Sequence, residues 1–173
     1  ANVHTGLPKT GTTSIQTWLR RNAAALRDRG IAYDRFEMKG EPLPNSQLEI
    51  GVCQYARAGQ VVPNANTRRV FGLRDVAATR AFAARVEALM GPSVAASDPG
   101  STYVISSEHI GAWTNTPAHV EALDGWLAQY FDDVRYVVYI RRQEDWLLSR
   151  YSQTLRRGMS VPLEKFLRRN AAH

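Results

Sequence analysis

Hydrophobic positions along the chain follow two periods, and the period switches from segment to segment. Spacing of three and four residues predicts helices. Ile15, Trp18, Leu19 and Leu26 fall on one face of a helix over Thr12–Arg29, with Gly30 as its stop. Phe82, Val86, Leu89 and Met90 repeat the pattern after Asp75, a natural N-cap, and Gly91-Pro92 should end that helix. Val120, Leu123, Leu127, Tyr130 and Phe131 mark another, and further helices are expected over Leu48–Ala58, Glu144–Arg157 and Leu163–Asn170. Short apolar runs predict strands. Asn2–Thr5 reads as the end of a strand whose first residues are expected upstream; Ile31–Tyr33 and Thr102–Ser106 follow, and Val134–Ile140 is the clearest of all. Residues 39–46 and Gly59–Asn66 read as loops, and Ser97-Asp98-Pro99-Gly100 as a turn. Strands alternating with helices predict an α/β fold, a parallel sheet flanked by helices on both faces.

Composition narrows the class. The 173 residues suit a single domain over 1–173, and 44% hydrophobic with 22% charged residues excludes disorder, collagen and coiled coil. No apolar run approaches the roughly 20 residues of a membrane helix. One cysteine, Cys53, excludes an internal disulfide framework and a Cys-rich metal site, and a lone thiol suits a reducing compartment. The net charge is +6, and of the 22 basic residues only Lys9, Lys39 and Lys165 are lysine. The planar fork of arginine suits oxyanions, so an anionic ligand is expected. The arginine pairs are scattered and form no tail or aromatic-interleaved stripe, so nucleic acid is not expected as a partner.

Three segments carry candidate chemistry. Gly6-Leu7-Pro8-Lys9-Thr10-Gly11-Thr12-Thr13-Ser14 links a predicted strand to a predicted helix, the layout in which a helix N-terminus receives phosphate. Gly11 permits a close backbone approach, Thr12 and Thr13 place hydroxyls in the first turn, and Lys9 adds a mobile charge. A Walker A loop needs Lys directly after its second glycine; here Lys9 precedes Gly11, which disfavours a nucleotide hydrolase or kinase. Arg141 ends the strand Val134–Ile140, where a side chain faces the ligand crevice of an open α/β sheet, and Ser149 follows eight residues later. Arg142 is the alternative to Arg141. Glu108 and His109 follow the strand Thr102–Ser106 and are both candidate general bases. Among the other histidines, His4 reads as a core or supporting residue, and His119 and His173 as surface residues. No His, Asp or Glu cluster has metal-ligand spacing, so no metal is expected. Residues 42–66 are the expected acceptor-facing stretch. Trp113 and Trp146 suit either sugar stacking or a core position.

The run Pro8-Lys9-Thr10-Gly11-Thr12-Thr13 after a strand resembles the 5′-phosphosulfate loop of sulfotransferases that use 3′-phosphoadenosine 5′-phosphosulfate (PAPS). The longer run from His4 to Gln16 is similar to that of the bacterial, carbohydrate-type members, and Tyr139–Tyr151 resembles their 3′-phosphate signature. The resemblance implies a P-loop-like sheet, with Pro8, Lys9, Thr10, Gly11, Thr12 and Thr13 on the 5′-phosphosulfate and Arg141 and Ser149 on the 3′-phosphate. Lys9 would serve the leaving oxygen. The Ser106-Ser107-Glu108 pattern favours Glu108 over His109 as the base. It further implies PAPS as co-substrate and adenosine 3′,5′-bisphosphate as product, without metal. The acceptor would be a hydroxyl or amine on a glycan or small molecule, the location cytoplasmic, with neither nucleic acid nor membrane as partner. Family members continue past the 3′-phosphate helix, so the 173 residues would correspond to about the first two-thirds of the full domain. A P-loop nucleotide kinase and a non-catalytic anion-binding relative are the competing readings.

Overall fold

Residues 102–106 show why this chain builds layers on both sides of a sheet. Side chains alternate across a strand. Tyr103 and Ile105 enter a large apolar core on one face, and Val104 packs against a smaller cluster of Leu19, Leu26 and Tyr33 on the other. The computed structural model describes residues 1–36 and 46–170. In chain order the elements are β1 (Asn2–His4), α1 (Thr12–Arg21), α2 (Ala23–Arg27), β2 (Ile31–Ala32), α3 (Leu48–Arg57), α4 (Ala65–Phe71) and α5 (Val76–Ala95). They continue with β3 (Thr102–Ser106), α6 (Glu108–Trp113), α7 (Pro117–Leu127), β4 (Arg135–Val137), α8 (Gln143–Arg156) and α9 (Leu163–Asn170). The sheet is parallel with order β2-β3-β1-β4. Val3 of β1 lies between Ile105 and Tyr136, so β1 is flanked by β3 and β4. The predicted α/β class therefore holds: a four-stranded parallel sheet flanked by helices.

Several boundaries differ from the sequence reading. The helix expected over Thr12–Arg29 divides at Asn22, whose backbone N–H and side-chain Nδ2 both donate to the Trp18 carbonyl. Such local side-chain bonds compete with helix propagation. Trp18, expected on the apolar face, is 55% exposed. Asp75 caps α5 as expected, accepting from the Ala78 N–H. The helix nevertheless runs through Gly91-Pro92 to Ala95, although Pro92 has no N–H to donate back to the Ala88 carbonyl. Helix α4 was not foreseen; Asn64 caps it by accepting from the Thr67 N–H. The expected acceptor stretch 42–66 contains α3, the most deeply buried helix, so that stretch is largely core; residues 42–45 lie outside the described residues. The loop expected over 39–46 likewise falls outside them except for Ser46. His119 is 2% exposed and not a surface residue, with Nε2 paired to Gln60; His173 lies outside the described residues.

Strand Val134–Ile140 shortens to Arg135–Val137. β1 ends at His4, and the last ladder bond runs from the Thr5 N–H to the Val137 carbonyl. Beyond it no ladder bond follows among the described residues, although the Tyr139 ring still meets His4 edge-on. This edge strand is exposed, Ile140 at 84%, and α8 has no buried residue. Among the described residues no helix is long and apolar enough to cross a membrane.

Candidate functional site

The carboxyl ends of β3, β1 and β4 lie side by side, and each leads into one of the three segments singled out from the sequence. β1 runs into the loop 5–11, which folds back on itself. The Thr10 N–H and hydroxyl both donate to the Leu7 carbonyl, at 3.2 and 2.6 Å. Lys9 and Gly11 take left-handed backbone angles, φ 74° and 88°. Gly11 is the N-cap of α1 and supplies no side-chain acceptor, and the first turn holds no acidic residue. The first N–H groups of α1 thus open toward the loop with a partial positive charge, the condition for receiving an anion.

The two threonines of that turn are not equivalent. Thr13 faces solvent, and Thr12 turns inward, 2% exposed, with Oγ1 donating to Glu108 Oε2 at 2.8 Å. Glu108 opens α6, which Ser107 caps by accepting from the His109 N–H. Helix α6 reaches the loop because residue 111 is glycine: a Cβ there would lie 2.3 Å from the Thr5 carbonyl oxygen. His109 faces elsewhere. Its Nδ1 lies 3.2 Å from Ser46 Oγ and its ring stacks edge-on against Trp113. Burial pushes the His109 imidazole below its ordinary value, with the Glu108 charge opposing that. The fold thus brings Glu108 to the loop and turns His109 toward the α3 side.

On the other flank Arg141 donates from Nη1 to the Lys9 carbonyl at 3.1 Å, whereas Arg142 pairs with Glu144. Trp146 donates its indole N–H to the Pro8 carbonyl at 2.9 Å, and the Arg150 guanidinium lies over its ring at 4.8 Å. Trp146 is thereby neither a core residue nor an open stacking platform; it clasps the loop. Sequence spacing carries no signal for this clasp or for Arg150. Ser149 sits half-buried on α8 with no hydrogen bond to the loop among the described residues. Lys9, Arg141 and Arg150 form no ion pair among the described residues; Arg141 touches the loop at the Lys9 carbonyl, and Arg150 lies over Trp146, which touches it at the Pro8 carbonyl.

A buried polar layer supports the loop from below. His4 Nδ1 pairs with Ser106 Oγ at 2.8 Å, the Ser106 N–H donates to Gln47 Oε1, and the Ser107 N–H donates to the His4 carbonyl. Burial holds the His4 imidazole below its ordinary value, and its Nε2 has no hydrogen-bond partner among the described residues. His4 therefore is the supporting residue the sequence suggested. Among the described residues no group of three His, Cys, Asp or Glu is placed to hold a metal ion. Two clefts that share Ser97, Asp98 and Ser101 open at the opposite ends of the strands and bring no such chemistry together.

The strained backbone of Lys9 yields a prediction. A non-glycine residue at positive φ costs about 1–2 kcal/mol. Lys9→Gly should raise unfolding stability by roughly 0.5–1 kcal/mol, part of the gain being offset by the more flexible unfolded glycine. It should weaken anion binding in the same protein, because the charge goes with the strain. Urea denaturation and anion titration of the one variant check both signs; a variant that is less stable and binds equally well contradicts the assignment. Set against known proteins, the chain matches no family model, no curated sequence and no solved structure.

Proposed function

We propose that the chain carries the PAPS site and the acid–base residue of a PAPS-dependent sulfotransferase, built on a P-loop-like sulfotransferase fold. One observation supports this above the others: Glu108, which follows β3, meets the anion loop that follows β1 through a 2.8 Å hydrogen bond, while Arg141, which follows β4, holds the other side of that loop. Groups 96 and 132 residues apart in sequence converge beside one helix N-terminus, as in-line transfer between two oxygens requires. The loop N–H groups and Lys9 would hold the 5′-phosphosulfate, and Arg141 the 3′-phosphate with Ser149. Glu108 takes the proton of the acceptor hydroxyl as the acceptor oxygen bonds to sulfur. The bond from sulfur to the bridging phosphate oxygen breaks, and the Lys9 ammonium stabilises the charge left on that oxygen. The products are a sulfated acceptor, on a glycan or small molecule, and adenosine 3′,5′-bisphosphate. No step uses a metal. A chain drawing on PAPS works where PAPS is made, so the cytoplasm is the proposed location.

Calorimetric titration with adenosine 3′,5′-bisphosphate, beside ATP with Mg²⁺, tests the reading. The bisphosphate should bind at micromolar Kd and ATP should not. Arg141→Ala should weaken the bisphosphate about 10- to 100-fold, the loss expected for a charge-assisted contact. Absence of bisphosphate binding, or tighter binding of ATP with Mg²⁺, overturns the proposal; the latter favours a kinase.

A further inference from the structure

The single hydrogen of the Thr12 hydroxyl has two possible acceptors. A threonine hydroxyl donates once. Here that donation goes to Glu108 Oε2 at 2.8 Å, in a position 2% exposed to solvent. Yet Thr12 is the first residue of α1, immediately after Gly11, so the same hydroxyl borders the place where an anion meets the helix N-terminus. A sulfate or phosphate oxygen and an ionised carboxylate are both acceptors only. They cannot share one hydrogen, and their like charges repel. Thr13 does not relieve the competition, since its side chain faces solvent. Glu108 is not free to shift with α6 toward the loop, because Gly111 already lies against the Thr5 carbonyl. The other titratable group beside Glu108, His109, is turned to Ser46 and Trp113 and offers no replacement donor to that carboxylate oxygen.

We infer that Thr12 is a positioning residue whose hydroxyl is handed from Glu108 to the bound anion, so that filling the loop releases Glu108 Oε2 for the acceptor's proton. This inference rests on the reading of the loop as the phosphosulfate site and adds an order of events to it. With the loop empty, Glu108 Oε2 carries the Thr12 hydrogen bond, which stabilises the carboxylate and lowers its basicity. With the loop filled, that bond is withdrawn and the carboxylate becomes the stronger base. The acid–base residue is thereby at its most basic when there is a group to transfer. A purely structural tie between α1 and α6 would have no such consequence: it would influence stability and leave the influence of Glu108 on the anion unchanged.

The difference is read in a double-mutant cycle on binding of adenosine 3′,5′-bisphosphate, followed by calorimetry. Glu108→Gln removes the charge and keeps an acceptor for Thr12; Glu108→Ala removes both. In the otherwise unaltered chain, affinity should rise about 2- to 3-fold for Glu108→Gln and about 10-fold for Glu108→Ala, typical of one hydrogen bond released to a charged ligand. In a Thr12→Val background both should give the same 2- to 3-fold rise, because no hydroxyl remains to be released. Thr12→Ser should restore the full difference. Equal gains in the unaltered and the Thr12→Val backgrounds overturn the inference while leaving the nucleotide site intact. Failure of the unaltered chain to bind the bisphosphate overturns the proposed function itself, and with it this inference. Thermal unfolding of each variant separates loss of folding from loss of the hand-over: a folded Thr12→Val chain with unchanged gains counts against it.

Discussion

Glu108→Gln is expected to lower the rate of sulfuryl transfer by two to four orders of magnitude while adenosine 3′,5′-bisphosphate binds at least as tightly as before, since that is the range general-base catalysis supplies. The amide has the shape of the carboxylate and still accepts from Thr12 Oγ1, so the junction between α6 and α1 is preserved. What it cannot do is take a proton. The loss should therefore fall on kcat and leave the KM for PAPS nearly unchanged. His109 cannot substitute. It is turned to Ser46 and Trp113, and burial disfavours its protonated form. His109→Gln should accordingly cost less than about tenfold, through packing alone. Transfer of labelled sulfuryl groups from PAPS to a panel of glycan and phenol acceptors measures both variants. A Glu108→Gln chain within threefold of the unaltered rate removes Glu108 from the role of base. An unaltered chain that binds the bisphosphate but sulfates nothing supports the non-catalytic anion-binding reading.

What could be read from the sequence, and what could not, follows the range of the interactions involved. The loop 6–14 was legible because its chemistry is local: glycines, a proline, a lysine and threonines in one short run before a helix. Asp75 was legible for the same reason, since its bond to the Ala78 N–H spans three residues. The choice of Arg141 over Arg142 rested on spacing, and the structure places only the first on the loop; the second is taken up by Glu144 two residues along. The pairing of Thr12 with Glu108 was beyond reach, because the two stand 96 residues apart and only the parallel pairing of β1 with β3 brings them together. The same holds for Trp146, whose indole N–H reaches back across 138 residues to Pro8. Errors arose where tertiary packing overrode local preference. Pro92 ends a helix by propensity, having no N–H for the Ala88 carbonyl, yet α5 continues past it to Ala95. His119 has the polarity of a surface residue, yet Gln60 and the Tyr55 ring give it partners inside. Residues 138–140 have the composition of a buried strand, yet β1 stops before them and leaves Ile140 in solvent.

The largest effect on stability is expected at Glu49, a residue that plays no part in the candidate site. Glu49 lies in the first turn of α3, is 1% exposed, and its Oε2 has no hydrogen-bond partner among the described residues. Burial pushes its carboxyl up to about 8, against the backbone N–H groups of Glu49 and Phe36 and the Arg35 guanidinium, which favour the charge. Tyr33 feels the same surroundings: burial first, then the Glu49 charge, raise its hydroxyl to about 12. The sign follows from proton counting. Between the ordinary glutamate value of 4.5 and about 8, the folded chain keeps a proton that the unfolded chain has released. Stability must then fall as pH rises through that window and level off above it. At 1.36 kcal/mol per unit, the full loss is of the order of 5 kcal/mol, a large part of the about 5–15 kcal/mol that holds a domain of this size together. Glu49→Gln replaces the protonated acid with a neutral side chain of the same shape. At pH 5 it should change stability little. At pH 9 it should be more stable than the unaltered chain by about 2–4 kcal/mol, because the variant has no buried carboxylate to ionise. Urea unfolding of both proteins from pH 5 to pH 9 supplies the test. Two curves that run parallel across the range would mean that Glu49 carries its charge inside the fold, with Arg35 compensating the burial in full.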